Sequence, residues 1–109
     1  MSTGTTVNKR LAFLEQTTRA GTADSFAWYA LAQEYRKEQR WDDAVATFTT
    51  LREKDPNYLA LYLMAGQTLV EAGRSADAGD WLRAGMVLAE ARGDGKTLGE
   101  LEGALADLT

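Results

Sequence analysis

Residues 28–56 read WYALAQEYRKEQRWDDAVATFTTLREKDP, and the spacing of the apolar side chains in this stretch decides the fold. Trp28 and Tyr35 stand at i and i+7, so they lie on one face of an α-helix. Ala44 and Phe48 stand at i and i+4, which places them on one face of a second helix. The polar turn between the two segments is short, and the stretch therefore predicts two antiparallel helices packed face to face.

The residue sizes in this predicted helix pair are complementary. The large side chains of Trp28 and Tyr35 fill the space between the helices, and the small Ala32 lets the backbones approach. Pro56 has no backbone N–H and ends the second helix. This arrangement resembles the tetratricopeptide repeat, whose pattern is W-x₂-L-G-x₂-Y…A-x₃-F…P. Ala32 replaces the usual glycine, and the residues that match are Trp28, Leu31, Tyr35, Ala44, Phe48 and Pro56.

A weaker copy of the same pattern follows in residues 59–92, with every position shifted by the interval that separates Trp28 from Tyr62. Gly66 and Ala78 match the pattern outright, whereas the other positions differ in size or type. Glu90 stands where the closing proline is expected, so the helix that we expect Ser75 to cap should continue beyond it. The residues at the equivalent positions are Tyr62, Ala65, Gly66, Leu69, Ala78, Leu82 and Gly85.

The resemblance implies an all-α fold in which helix hairpins stack into a right-handed superhelix. We expect one domain over residues 7–109, after a disordered N-terminus at residues 1–6. Its last helix covers the apolar face of the last repeat. In that helix Gly99 and Gly103 share one face, where they either permit a close backbone approach or leave the helix loosely packed. The expected units are a leading helix at 7–20, repeats at 25–58 and 59–92, and a capping helix at 95–108.

The composition excludes several classes of protein. The 109 residues contain no cysteine and no histidine, which excludes disulfides, cysteine or histidine metal sites and nucleophile–histidine pairs. The formal net charge is −4, with eight acids and four bases after residue 56, so a basic footprint for nucleic acid is missing. No apolar run is long enough to cross a bilayer. We therefore expect a soluble protein of the cytoplasm that neither binds nucleic acid nor inserts into membranes.

No set of residues predicts an enzyme, a cofactor or a bound metal. The segment Gly95-Lys96-Thr97 imitates the end of a phosphate-binding loop, but it follows a helix and lacks the earlier glycine of that motif. Asp42 and Asp43 are neighbouring carboxylates at a helix start, where the helix dipole and solvent favour acids. No loop carries the alternating carboxylates of a calcium site. The sequence thus predicts a protein that is not an enzyme.

The resemblance also implies where a partner would bind. In this family, the first helix of each repeat lines a concave groove that receives an extended peptide or a helix of another protein. Aromatic side chains together with arginine commonly dominate such interfaces. The chain is therefore predicted to be a protein-binding module. The candidate partner-binding residues are Phe26, Tyr29, Gln33, Arg36 and Lys37 in the first repeat and Leu63, Gln67, Val70 and Glu71 in the second.

Other interpretations concern the same surfaces. Some family members grip the C-terminal carboxylate of a partner with lysine and asparagine, but those positions are Tyr29, Gln33 and Met64 here, so that clamp is absent. In a purely structural interpretation, Phe26 and Tyr29 pack on the leading helix, Leu63 packs on Tyr29, and these side chains do not contribute to binding. The functional alternative is self-association, as a homodimer, through the groove or through Trp81 and the last helix.

Overall fold

Six α-helices form the regular structure of residues 8–108, which are the residues that the computed structural model describes. No strand occurs in this part of the chain, so the all-α prediction is confirmed. The predicted disorder of residues 1–6 lies outside the described residues. The helices are α1 Lys9–Arg19, α2 Ser25–Lys37, α3 Trp41–Lys54, α4 Ala60–Glu71, α5 Ser75–Arg92 and α6 Gly95–Ala106.

The helices form two layers, and the helices of one layer lie closer together than those of the other. Each helix packs against the next one along the chain. In addition, α2 contacts α4 and α4 contacts α6, whereas within residues 8–108 α1, α3 and α5 do not contact one another. The side formed by α2, α4 and α6 is therefore the shorter one, and we call it the concave surface. The molecule is elongated, with principal dimensions of 49 × 32 × 19 Å.

Local signals set several helix ends. The carboxylate of Asp24 accepts a hydrogen bond of 2.9 Å from the Ala27 N–H at the start of α2. Asp94 caps α6 in the same way by accepting from the Thr97 N–H at 3.0 Å, which satisfies a backbone donor that the helix leaves unpaired. Gly73 follows α4 in the left-handed conformation, with a φ of 78°, a position that favours glycine. A local residue therefore sets each of these helix ends.

The start of α5 differs from the prediction by one residue. Arg74 occupies the N-cap position, and Ser75, the expected cap, is the first helical residue. The turn is compact, because the Arg74 N–H donates to the Leu69 carbonyl and the Arg74 carbonyl already accepts from the Asp77 N–H. The prediction that Ser75 caps this helix is therefore wrong. The helix does continue past Glu90, as the missing proline predicts.

Both repeats use the same contact between a small and a large residue. Ala32 and Phe48 are fully buried in the first repeat, and Gly66 and Leu82 occupy the equivalent positions of the second repeat. A Cβ placed on Gly66 would lie only 2.5 Å from Cδ2 of Leu82. A side chain at position 66 would therefore require the Leu82 side chain to move.

Helix α6 is held from one side. Leu101 is fully buried in the main core, whereas Gly99 and Gly103 are exposed, and a Cβ on either would meet nothing within 4 Å. The expectation of a close backbone approach at these two glycines is therefore wrong. Both glycines lie on the solvent-exposed face of α6.

Candidate functional site

The concave surface carries an aromatic cluster on α2. Phe26 is 61% exposed, and its ring centroid lies 6.5 Å from that of Tyr29. Tyr29 is half-buried, because its ring also lies 6.4 Å from Phe48 and 5.3 Å from Tyr58. Burial and the neighbouring Tyr58 raise the pKa of Tyr29. The cluster thus joins one exposed ring to a second ring that the core fixes in place.

Helix α1 packs on a different part of α2. Leu11 and Leu14 form a small core with residues of α2, and Trp28 and Tyr35 pack against it. Tyr29 instead packs against the main core, together with Phe48 and residues of α4. The interpretation in which Tyr29 packs on the leading helix is therefore wrong.

Arg36 and Glu71 connect α2 to α4 across the concave surface. The guanidinium donates to both carboxylate oxygens, at 2.8 Å from Nε and 2.7 Å from Nη2. The hydrogen bonds from Arg36 lower the pKa of Glu71, and the same bonds raise the pKa of Arg36. Nη1 of Arg36 also lies 3.4 Å from Sδ of Met64. The two predicted binding residues thus neutralise each other, and Lys37 is the exposed cation of the predicted set.

Two glutamines lie along the same surface. Oε1 of Gln33 is buried and has no hydrogen-bond partner among the described residues. Gln67 and Val70 line a cavity of about 220 Å³ between the C-terminal halves of α4 and α6, and Glu71 lines it as well. Val70 is 43% exposed. We call this space the smaller cavity.

A larger cavity, of about 470 Å³, opens near the first turns of α4 and α6. Tyr58, Leu63 and Met64 supply apolar lining, and α6 contributes Thr97 and Glu100. Of the predicted binding residues, Leu63 lines this space. The remaining lining residues are Asp55, Asn57, Leu59, Ala60, Arg92 and Asp94.

The sequence prediction does not include the part of this surface that α6 provides. Asp94 follows Ala60, and Thr97 follows Leu63, at the same interval that relates the two repeats, so the repeat pattern continues onto α6. The signal is present in the sequence, but both positions change from apolar to polar residues, and the apolar pattern no longer marks them. Helix α6 is therefore the third helix of the concave surface as well as the cover of the last repeat.

The segment that imitates a phosphate-binding loop is the first turn of α6. Asp94 accepts hydrogen bonds from the N–H and the hydroxyl of Thr97, at 3.0 and 2.8 Å. These bonds lower the pKa of the Asp94 carboxyl. The backbone donor that a phosphate would need is thus occupied by a carboxylate, which agrees with the assignment of Gly95-Lys96-Thr97 to a helix start.

Two features are absent from residues 8–108, a cluster of metal-binding side chains and a membrane-spanning helix. No three His, Cys, Asp or Glu side chains are grouped so as to hold a metal ion there. None of the six helices combines the length and the apolar character that crossing a membrane requires.

Known proteins share this architecture. A sequence profile of the tetratricopeptide repeat matches residues 35–95, which is more than half of the chain. The crystal structure of a tetratricopeptide repeat domain protein from Salinibacter ruber is 36% identical, with a TM-score of 0.71, over 78% of this chain and 96% of that one. A solution structure of a tetratricopeptide repeat domain protein from the same organism is also 36% identical, with a TM-score of 0.72, over 78% and 86%.

A third solution structure covers more of the chain. It belongs to a protein from Bordetella parapertussis that is 25% identical, with a TM-score of 0.78, over 95% of this chain and 89% of that one. No match was found among curated proteins. The profile match, the 36% identity and the repeated small-and-large contact between paired helices agree with one another. This chain therefore belongs to the tetratricopeptide repeat family.

Proposed function

We propose that this chain is a non-catalytic module that binds a peptide or a helix of a partner protein on the concave surface formed by α2, α4 and α6. The observation that carries the proposal is the pair of cavities, of about 470 and 220 Å³, which both lie between α4 and α6. Membership of a repeat family that serves as interaction modules supports a protein partner. The cytoplasm remains the predicted location.

The candidate residues divide by chemistry. Phe26 and Val70 offer exposed apolar surface, and Leu63, which belongs to the core, forms part of the wall of the larger cavity. Burial of apolar surface supplies most of the affinity at a protein interface. Gln33 and Gln67 offer amides, and the exposed cation Lys37 adds polar contacts that fix the orientation of the bound segment. The ion pair of Arg36 with Glu71 links α2 to α4 across the surface, so we expect it to contribute to the shape of the surface more than to contacts with the partner.

Two phenylalanines of similar exposure permit a matched test. Phe26 is 61% exposed on the concave surface, and Phe13 is 67% exposed on α1, outside that surface. We expect a partner captured by the immobilised wild-type chain to be retained by Phe13→Ser and lost with Phe26→Ser. Because neither ring is in the core, both variants should unfold at the same urea concentration as the wild type. A partner that binds the Phe26→Ser chain and a Tyr29→Ala, Leu63→Ala chain as well as the wild type would refute the proposal.

Self-association is the second candidate, and exposed apolar side chains on the convex side favour it. Phe13 on α1 and Val87 on α5 are 67% and 71% exposed. Trp81 is less suited to this role, because its ring packs 6.4 Å from that of Tyr62 and beneath Arg52. Light scattering across a wide range of protein concentration tests this candidate. A mass that rises with concentration, and falls with Val87→Ser, would favour self-association over partner capture.

A further inference from the structure

The larger cavity combines apolar walls with acidic groups. Leu63 and Met64 supply part of the apolar lining, and the carboxylates of Asp55, Asp94 and Glu100 also line the space. This combination differs from the middle of the concave surface, where Arg36 and Glu71 cancel each other. The charge of a ligand therefore matters most at this cavity.

The charges in this cavity do not cancel. Among the described residues that line it, Arg92 is the one cation, and its guanidinium donates to the Asn57 carbonyl. The lining also includes three carboxylates, so its net charge is −2. Asp55 accepts a hydrogen bond of 2.7 Å from the Ser25 hydroxyl, and Glu100 is exposed. Because a hydroxyl donor is neutral, the bond to Asp55 orients the carboxylate and leaves its charge in place.

The start of α6 does not make the cavity favourable for an anion. Helix N-termini attract anions through their unpaired N–H groups. Asp94 already accepts from the Thr97 N–H and hydroxyl at 3.0 and 2.8 Å. A phosphate or carboxylate that approached the first turn would therefore meet an occupied donor and a like charge.

We propose that the larger cavity receives a cationic side chain of a partner segment, lysine or arginine, with an apolar side chain beside it. This inference rests on the proposed protein-binding function and names the chemistry of the partner. A lysine or arginine has an apolar stem and a charged head, which match Leu63 and Met64 on one side and the carboxylates on the other. A space of about 470 Å³ falls within the range of ~300–1,000 Å³ that is usual for ligand pockets.

The test uses two short peptides of the same length and measures chemical shifts of the ¹⁵N-labelled full chain. One peptide alternates lysine with phenylalanine, and the other has glutamate in place of each lysine. We expect the lysine peptide to shift the amides of Thr97 and Glu100 more than those of α1 and α3. We expect the glutamate peptide to leave the amides of the cavity unchanged.

Charge variants at one position give the sharpest comparison. Ala60 is the first residue of α4, lines the cavity and is exposed, so it accepts a charged side chain without disturbing the core. We expect Ala60→Lys to weaken binding of the lysine peptide by about fivefold and Ala60→Glu to strengthen it by about twofold. Glu100→Gln should weaken binding by about threefold. Glu102→Gln removes an exposed carboxylate of the same helix that does not line the cavity, and it should have no effect.

Four outcomes would overturn the inference. The first is equal binding of the two peptides at the cavity, and the second is an equal loss with Glu100→Gln and Glu102→Gln. The third is the absence of shifts at Thr97 and Glu100 with both peptides. The fourth is a shift of the same amides with protein concentration alone, which would indicate a second copy of the chain in the cavity. The first three results leave the test at Phe26 unaffected, whereas concentration-dependent shifts would also favour self-association over partner capture.

Discussion

The substitution of Gly85 by alanine tests how closely α4, α5 and α6 are packed. A Cβ at position 85 would lie 2.6 Å from Cβ of Tyr62 and 3.0 Å from Cδ2 of Leu101. Cβ of Tyr62 is attached directly to the backbone of α4, so rotation of a side chain cannot relieve the contact. The helices must separate, or α4 must shift, to admit a single methyl group.

The expected cost follows from two opposing effects. Forcing an extra methyl group into a packed core costs about 1–3 kcal/mol, and with a contact this short we expect the upper part of that range. Replacing glycine by alanine inside a helix stabilises the helix by about 1 kcal/mol. Gly85→Ala should therefore lower the free energy of unfolding by about 1–2 kcal/mol. Gly99→Ala should raise it by about 0.8 kcal/mol, because a Cβ at position 99 meets nothing within 4 Å.

Urea and thermal unfolding of the two variants beside the wild type, followed by circular dichroism, measure this difference. At about 4 °C per kcal/mol for a domain of this size, the two melting temperatures should differ by roughly 10 °C. The dependence of the free energy on urea should stay the same, since both variants bury nearly the same surface. If Gly85→Ala is as stable as Gly99→Ala, the tight packing of these helices is refuted.

Three further substitutions test individual contacts. Glu71→Gln should remove a contribution of less than about 1 kcal/mol, since the pair is partly exposed. The pKa of Glu71 is lowered by Arg36, so this contribution is present above the unfolded pKa and disappears as the pH falls through the folded one. Between neutral and acid pH, the urea concentration at the unfolding midpoint should therefore fall further for the wild type than for Glu71→Gln. Burial, and then the hydrogen bond to Glu15, raise the pKa of Tyr35 to about 12. The tyrosine therefore stabilises the fold below its unfolded pKa of about 10, and this stabilisation is lost as the pH rises to about 12. Tyr35→Phe should remove the tyrosinate absorbance that develops near pH 12 and flatten stability over that interval, and an unchanged titration would contradict the assignment. Arg52 lies over two aromatic rings, of α4 and α5, at 5.1 and 4.9 Å. Arg52→Met should therefore lower the free energy of unfolding by about 1 kcal/mol. An unchanged urea midpoint would show that the contacts between the cation and the rings do not stabilise the fold.

The helices are readable in the sequence because their signals are local. A capping residue such as Asp24 or Asp94 acts on a backbone N–H three positions away, and Gly73 ends a helix through its own conformation. Ser75 has the residue type of a cap but not the role, because the compact turn before it starts the helix at Arg74. Residue type therefore indicates that a helix begins nearby, while the geometry of the preceding turn decides at which residue.

The contacts between repeats are not readable in this way. Arg36 and Glu71 are far apart in the sequence, and the sequence identifies each only as a polar residue on a predicted groove. Whether the two meet depends on the distance and angle between α2 and α4, which the core sets. The larger cavity depends in the same way on how the turn before α4 lies beside the turn before α6. Its acidic character follows from bringing Asp55, Asp94 and Glu100 to one place, which no local pattern identifies.

The charges along the concave surface give it a direction. The Phe26 ring and the Lys37 cation belong to α2, and the paired Arg36 and Glu71 cancel in the middle. The larger cavity, whose lining carries a net negative charge, lies near the first turns of α4 and α6. Charges that differ along a surface fix the orientation of a bound chain, because the reversed orientation places like charges together. A partner segment on this surface would therefore lie with its cationic end towards α6 and its apolar end towards α2. Because Arg36 and Glu71 neutralise each other, the middle of the surface adds no net charge that would oppose this orientation.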